Sequence, residues 1–335
     1  MNRVWLAFWT CTTSFSVVQL RAEEDGLLHH WQFEEAVWDG ARIASRSGGL
    51  EAVLSGEPQF GADGEWVLGD AGGVVIEGLA PGALPQGALA VEAEVAIDSG
   101  QRWGNICGFA QDNGNYERGW SLGYNERAFT FWISTGGPMI ELVSETAFER
   151  GRLYHVVGTF DGSAIRLFVD GKLEAERVAE GRIAYPEEAF YAIGVYRDQD
   201  ENYPMQGRLR AVRVFDRPIA GSDVLERAKA AGIEMPMRFS IQPALRFLSP
   251  ATARVTWESA GAGGAAVVYG KTRRFGKRAQ SVGTGGDRWA LLDGLEPGTD
   301  YFYKISSGAE RQASATFEFS TTQSFTRPRL SGEVS

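Results

Sequence analysis

Sulfur, histidine and uninterrupted apolar stretches are scarce in this chain, and each scarcity excludes something. Of 335 residues only two are cysteine, three are histidine and five are methionine. Cys11 lies in an N-terminal leader-like stretch, so once that is removed Cys107 stands alone. Neither an intrachain disulfide nor a metal–thiolate site can then be built. The histidines are His29, His30 and His155. Three are too few for a dinuclear metal centre, which gathers several His, Asp and Asn ligands around two ions. After residue 22 no run approaches the roughly 20 apolar residues that a membrane-spanning helix needs. Basic charge is short as well: the formal net charge is −10, and residues 23–237 hold 18 Lys and Arg against 35 Asp and Glu. Such a field repels phosphates, which argues against nucleic acid as a partner. Residues 238–335 reverse the balance, 13 against 8, but the basic run Lys271 to Arg278 reads as a solvated loop.

Glycine and aromatic residues, by contrast, are plentiful, and they punctuate a β pattern. The chain opens with Met1-Asn2-Arg3, an apolar middle and the small residue Ala22 before Glu23-Glu24. That order predicts a cleavable signal peptide over 1–22 and a secreted or periplasmic product. Beyond it, more than ten short strand-like runs are separated by Gly, Asp and Asn. The most regular is "GRLYHVVGTFDGSAIRLFVDGKLEAERV", residues 151–178. Asp-Gly suits the positive φ of a type I′ hairpin turn, so strands are predicted over Leu153–Phe160, Ala164–Val169 and Lys172–Val178, with turns at Asp161-Gly162 and Asp170-Gly171. Alternation sets Tyr154, Val156, Gly158 and Phe160 on one face and His155, Val157 and Thr159 on the other. Both faces carry apolar groups, which places the meander mid-sheet or under cover on both sides.

The pattern changes at "AGSDVLERAKAAGIEMPM", residues 220–237. Ser222 or Asp223 is placed to cap a helix, Val224, Leu225, Ala228 and Ala231 recur at helical spacing, and Gly232 and Pro236 end it. The fold class expected is all-β: a large two-sheet jelly-roll sandwich at about 24–220, a helical linker at 221–237, a smaller sandwich at 239–322 and a tail at 323–335.

The order "HWQFEE", "VEAEVAI", "RLYHVVGTFDGSAIRLFVDGKLEA", "YAIGV" and "MQGRLRAVRVFDRPIAGSDV" resembles the laminin G-like members of the concanavalin A-like lectin/glucanase superfamily. The residues that carry it are Tyr154-His155-Val156, Phe168-Val169-Asp170-Gly171 and Asp216-Arg217-Pro218-Ile219. The second part is similar to the N-terminal, fibronectin type III-like domain of purple acid phosphatases. Its marks are Val255-Thr256-Trp257, Val267-Val268-Tyr269-Gly270, Gly294 to Thr299, Tyr301-Phe302-Tyr303 and Phe317 to Thr322, with a tyrosine set to pin the corner after Pro297-Gly298. The phosphatase resemblance implies a two-metal catalytic domain after this module, and the ligand set for one is missing here. The lectin resemblance includes glucanases, whose retaining branch carries Glu-x-Asp-x-x-Glu on one strand. Glu92-Ala93-Glu94-Val95-Ala96-Ile97-Asp98 lacks the middle Asp and the last Glu. No catalytic residue is assigned, and Glu92 and Glu94 read as a solvated strand face.

Ligand candidates are loop residues that mix aromatic rings with oxygen donors. Trp103, Asn105, Asp112, Asn113, Asn115, Tyr116 and Tyr203 suit a sugar, and Asp198, Asp200 and Asn202 suit calcium, which prefers six to eight oxygens. Polar loops beside structural aromatics remain the plain alternative. Trp103 and Trp38, in loop contexts, are the sugar-facing tryptophans, whereas Trp31, Trp66, Trp120 and Trp132 lie in strands and read as core. His155 reads as a satisfied sheet histidine, and His29 and His30, being adjacent on a strand, cannot chelate one ion. The function expected is non-catalytic binding of a glycan or an extracellular protein. The alternatives are an accessory part of a metallophosphoesterase (acid phosphatase) whose catalytic domain is separate, and structural adhesion.

Overall fold

The computed structural model describes residues 24–321 apart from 48–49, 55, 70–71, 77–78, 80–82, 113–116, 188–189, 199, 238, 260–263, 284–286, 308–311 and 315. The expected signal peptide and tail therefore lie outside the described residues, as do Asn113, Asn115 and Tyr116. Two large antiparallel sheets form the first part. The back sheet runs in the order 172–178, 164–169, 153–160, 89–97, 207–215, 66–68 and 59–60, with Leu27–Gln32 also paired to Gly207–Phe215. The front sheet runs 140–147, 128–133, 117–124, 104–112, 190–193, 74–76, 51–54, 42–44 and 38–39. Between them lies a core of Trp31, Trp66, Trp120, Phe129, Phe131, Phe160 and Tyr191, all at most 1% exposed. This all-β jelly-roll arrangement is the fold class that the strand rhythm predicts.

The three strands of the 151–178 meander have the predicted bounds. Their two turns differ. Asp170 and Gly171 both have positive φ, 50° and 79°, as a type I′ turn requires. At the other turn only Gly162 does; Asp161 instead accepts the backbone N–H groups of Ser163 and Ala164 through Oδ1 at 2.9 and 2.8 Å. That connection is an Asx-type turn closed by a side chain, which corrects the expected second I′ turn.

The helix spans Gly221–Ala230 and ends at Gly232, whose φ of 73° lets its N–H reach Lys229 O while Ile233 reaches back to Ala228 O. Its start differs from the expectation. Ala220 occupies the N-cap in extended conformation with no side-chain cap, and Asp223 falls in the first turn, where its charge opposes the helix dipole's positive end. Nor is the helix a free linker: Val224 and Ala228 are fully buried against the outer face of the back sheet, beside Ala90, Val157, Phe168 and Phe215. The helix therefore explains why both faces of strand 153–160 carry apolar groups.

The second part holds its own core of Val255, Trp257, Val267, Tyr269, Tyr301, Tyr303 and Ile305 between a sheet of strands 239–249, 252–259 and 287–292 and a sheet built around strand 300–307. Tyr301 does pin the corner: its hydroxyl accepts the N–H of Glu296 at 3.0 Å. Tyr154 makes the same closure in the first part, accepting the N–H of Glu149 at 2.7 Å across the same five-residue spacing. Glu149 also reaches the second part, accepting from Thr316, and Arg152 donates to Glu234 O in the segment before it.

Candidate functional site

Strand parity determines which side chains leave the core of the front sheet. On Ala128–Ile133, Phe129, Phe131 and Ile133 point inward at 0% exposure, so Thr130 and Trp132 point outward. On Glu117–Tyr124, Trp120 and Leu122 point inward and Ser121 outward. Register then sets Ser121 opposite Trp132, and Trp132 opposite Glu141, in a row across three strands. Ser121, Thr130 and Trp132 are nonetheless only 2–7% exposed, because flanking segments rise around them. The result is a cleft of about 210 Å³ lined by this row together with Arg102, Trp103, Asp112, Tyr124, Glu126 and Tyr196.

The segment 101–103 and the hairpin 195–204 form one rim. Gln101 Nε2 donates to Trp103 O and, at 3.4 Å, to Tyr203 O. Trp103 is 43% exposed and carries the Arg102 guanidinium 5.2 Å from its ring centroid. Trp103, Asp112 and Tyr196, drawn from three separate stretches, thus meet in one cleft. Of the other expected sugar ligands among the described residues, Asn105 and Tyr203 do not line it. Asn105 is buried, its amide donating to Ala192 O and Val195 O at 3.1 and 2.9 Å while its Oδ1 accepts from Ser121 Oγ at 2.7 Å. It ties strands together, which corrects its reading as a ligand residue. Tyr203 stacks on Tyr196 and donates to Glu201, away from the cleft lining.

Two of the three expected calcium ligands, Asp198 and Asn202, enter local hydrogen bonds. Asp198 is 2% exposed and its Oδ1 accepts the N–H groups of Asp200 and Glu201, closing the hairpin loop. Asn202 accepts from Arg197 at 3.3 Å. Among the described residues no three His, Cys, Asp or Glu side chains converge where a metal ion could sit. The local turn takes Asp198 Oδ1 and leaves Oδ2 without a hydrogen-bond partner.

Two tryptophans exchange the roles expected of them. Trp38 packs on Phe33, Phe60 and Trp66, with ring centroids 5.3–6.3 Å apart, and so belongs to the core fringe. Trp132, read as core, lines the cleft. The parity of "AFTFWI" carried that signal, since three inward Phe and Ile positions force Trp132 out.

Electrostatically the cleft is acidic. Burial, and then the charges of Glu117, Asp198, Glu201 and Asp200, raise the Asp112 carboxyl above its ordinary range. Burial alone raises Glu141. The Tyr196 hydroxyl is pushed up by burial and by Asp198 and Asp112.

The opposite face of the sandwich is the other charged region. Glu92 and Glu94, expected on a solvated strand face, are 1% and 5% exposed. His155 Nε2 donates to Glu92 Oε1 at 2.9 Å, Arg213 to the same oxygen at 3.1 Å, and Arg227 of the helix to Oε2 at 2.8 Å. Burial opposes the Glu92 charge, but the His155 hydrogen bond and the His155, Arg213 and His30 charges hold its pKa below the ordinary value. His30, paired in register with Arg213, is lowered to about 4 by burial and by Arg213 and Arg46. His155 is thus engaged with a carboxylate inside a sheet, as expected of a structural histidine.

A search of curated proteins finds no match to this chain. Among solved structures it is similar to domain 4 of AbnA, a GH43 extracellular arabinanase from Geobacillus stearothermophilus in complex with arabinotriose. The identity is 17%, over 62% of this chain and 100% of that one, with a TM-score of 0.48. It is also similar to the protein of a botulinum neurotoxin type C structure whose subject is cell entry through two ganglioside molecules, at 11% identity, 86% and 72% coverage and a TM-score of 0.47. A Trypanosoma rangeli sialidase matches at 14% identity over 62% of this chain and 33% of its own, with a TM-score of 0.44. Among the described residues no helix is long and apolar enough to cross a membrane. Residues 68–225, which hold the cleft, match the laminin G-like model of the concanavalin A-like lectin/glucanases superfamily, and residues 240–321 match the purple acid phosphatase N-terminal domain.

Proposed function

We propose that the protein is a secreted, non-catalytic binding protein whose lectin-like part, at about 24–220, holds a glycan in the cleft of the front sheet. The observation that carries this reading is the joining of an exposed tryptophan, Trp103, with Trp132, Tyr196 and the hydroxyls of Ser121 and Thr130 in one concavity. Flat rings stack on the C–H faces of a pyranose, while hydroxyls and carboxylates meet its O–H groups. The volume, about 210 Å³, is below the roughly 300–1,000 Å³ of pockets that enclose drug-sized ligands, so a terminal or branch sugar fits better than an enclosed chain. Hydrolysis is not part of the reading. The paired carboxylates that a glycosidase needs free, Glu92 and Glu94, are engaged by arginines on the other face.

A glycan array with the full chain, followed by calorimetry on the hits, tests the proposal. Binding that falls several-fold in Trp103→Ala supports it. An empty array, or hits indifferent to Trp103→Ala and Trp132→Ala alike, favours protein adhesion. A second reading, an accessory module of a metallophosphoesterase carried elsewhere, draws on the match of residues 240–321. Co-purification with a separate phosphoesterase would favour it.

A further inference from the structure

Acidic side chains in the larger part of this protein fall into two groups. Those taken deepest out of water are neutralised internally: Glu92 by His155, Arg213 and Arg227, Asp170 by Arg152, Glu174 by Lys172. The cleft breaks that rule. Asp112, Glu126 and Glu141 line it, and among the described residues none of the three is in an ion pair. Among the described residues its one lining cation, Arg102, lies over the Trp103 ring. Behind the wall stands Asp198, 2% exposed, whose Oδ2 is buried without a hydrogen-bond partner and whose charge acts on Asp112 and on the Tyr196 hydroxyl. Tyr124, which also lines the cleft, has a buried hydroxyl oxygen in the same condition.

Such a site discriminates by charge. An anionic sugar meets carboxylates of its own sign. A neutral sugar covers them, removing water without replacing the lost solvation. An ammonium group gains on both counts, and the Trp103, Trp132 and Tyr196 faces add the attraction of an aromatic quadrupole for a cation. Resting on the glycan reading above, we propose that the cleft selects a sugar bearing a free ammonium group, a deacetylated amino sugar, over its N-acetylated, neutral and acidic counterparts. A lysine side chain offers the same cation without a ring face to stack, so the aromatic walls favour the sugar.

The test titrates the full chain with four trisaccharides, of glucosamine, N-acetylglucosamine, glucose and galacturonic acid, and with trilysine. The glucosamine trimer should bind at least about tenfold tighter than each of the others, the increment expected for one charge-assisted contact. Asp112→Asn combined with Glu141→Gln should abolish that preference. Thermal unfolding checks that the double variant folds, and the wild-type ranking stands without it. If the acetylated or neutral trimer binds as well, and Trp103→Ala weakens it, the ammonium inference falls while the glycan reading stands. If trilysine binds as tightly as the glucosamine trimer, the cleft is a site for basic peptides and the inference is overturned. If none of the five binds, the ammonium inference is overturned, and the glycan reading falls with it only if the array is empty as well.

Discussion

The two outer faces of the lectin-like sandwich treat buried charge in opposite ways. On the back face Glu92 collects hydrogen bonds from three elements: from His155 of strand 153–160, Arg213 of strand 207–215 and Arg227 of the helix. On the front face Asp112 and Glu141 sit half out of water with no cation paired to them among the described residues. The first arrangement fastens an element of the fold. The second leaves electrostatic demand directed outward, as a recognition surface does. Burial alone therefore does not distinguish structural from functional carboxylates; the source of the compensating charge does.

The comparison breaks most directly at Glu92. Glu92→Ala removes the carboxylate that Arg213 and Arg227 share, leaving them only Glu94 and Glu24, and removing one partner of a buried ion pair costs about 3–5 kcal/mol. Urea unfolding should report a loss of that size; a loss under about 1 kcal/mol would mean that the arginines relax into water. Arg227→Met comes next, because Arg227 joins the helix both to Glu92 and to Glu24. It should cost about 1.5–3 kcal/mol, with amide exchange of the helix accelerating before that of the sheet.

At the front face the effects are smaller and sit in binding. Trp103→Ala should weaken a bound sugar by about 0.5–1.5 kcal/mol in calorimetry while moving stability by no more than about 0.5 kcal/mol, since the ring is 43% exposed. Asp112→Asn and Glu141→Gln, measured one at a time without ligand, should stabilise the protein at neutral pH by a few tenths of a kcal/mol.

Acid titration sharpens the contrast. The Asp112 and Glu141 pKa values are raised, so their favourable contribution is present below the ordinary carboxylate range and lost as pH rises through the folded values. The Glu92 pKa is lowered, so its contribution is present above the ordinary 4.5 and lost as pH falls through the folded value. Asn and Gln at the front should therefore stabilise at pH 7, whereas Glu92→Gln should destabilise, and both differences should shrink in acid. Affinity for an ammonium ligand should fall over the same acid range, as Asp112 and Glu141 protonate. Glu117, Asp198, Glu201 and Asp200 act on Asp112, Glu126 and Tyr196 line the cleft beside both carboxyls, and the nearby cations are Arg102 in the lining and Arg177, which donates to Glu141 O. Differences of one sign at both faces would erase the distinction between them.

Local rules reached far into this fold. Alternation and Asp-Gly pairs gave the bounds of three strands and one true I′ turn, because period and positive φ are properties of a few consecutive residues. The corner tyrosine, the helix stop at Gly232 and the structural part of His155 were legible for the same reason. What failed needed neighbours from elsewhere in the chain. Asn105 looked like a free loop amide until Ala192, Val195 and Ser121, up to 90 residues away, took its hydrogen bonds. Glu92 and Glu94 looked solvated because nothing in "VEAEVAI" announces Arg227, 135 residues later, on Glu92, or Arg210 and Arg213 on Glu94. Asp198 looked like a free loop carboxylate, and its own turn took one of its two oxygens.

The sequence by itself determined the all-β class, the order of two sandwich-like parts, the inward and outward parity of each strand and the acidic bias of the larger part, since period, turn chemistry and charge are additive along a chain. Tertiary structure alone decided which outward residues share a surface. Ser121, Trp132 and Glu141 become neighbours only through sheet register, Trp103 and Tyr196 only through the meeting of two distant segments, and the carboxylates of one face acquire counter-charges while those of the other do not. Register and docking are set by packing between elements, whose free energy depends on contacts distant in sequence, so no local window of residues contains that information.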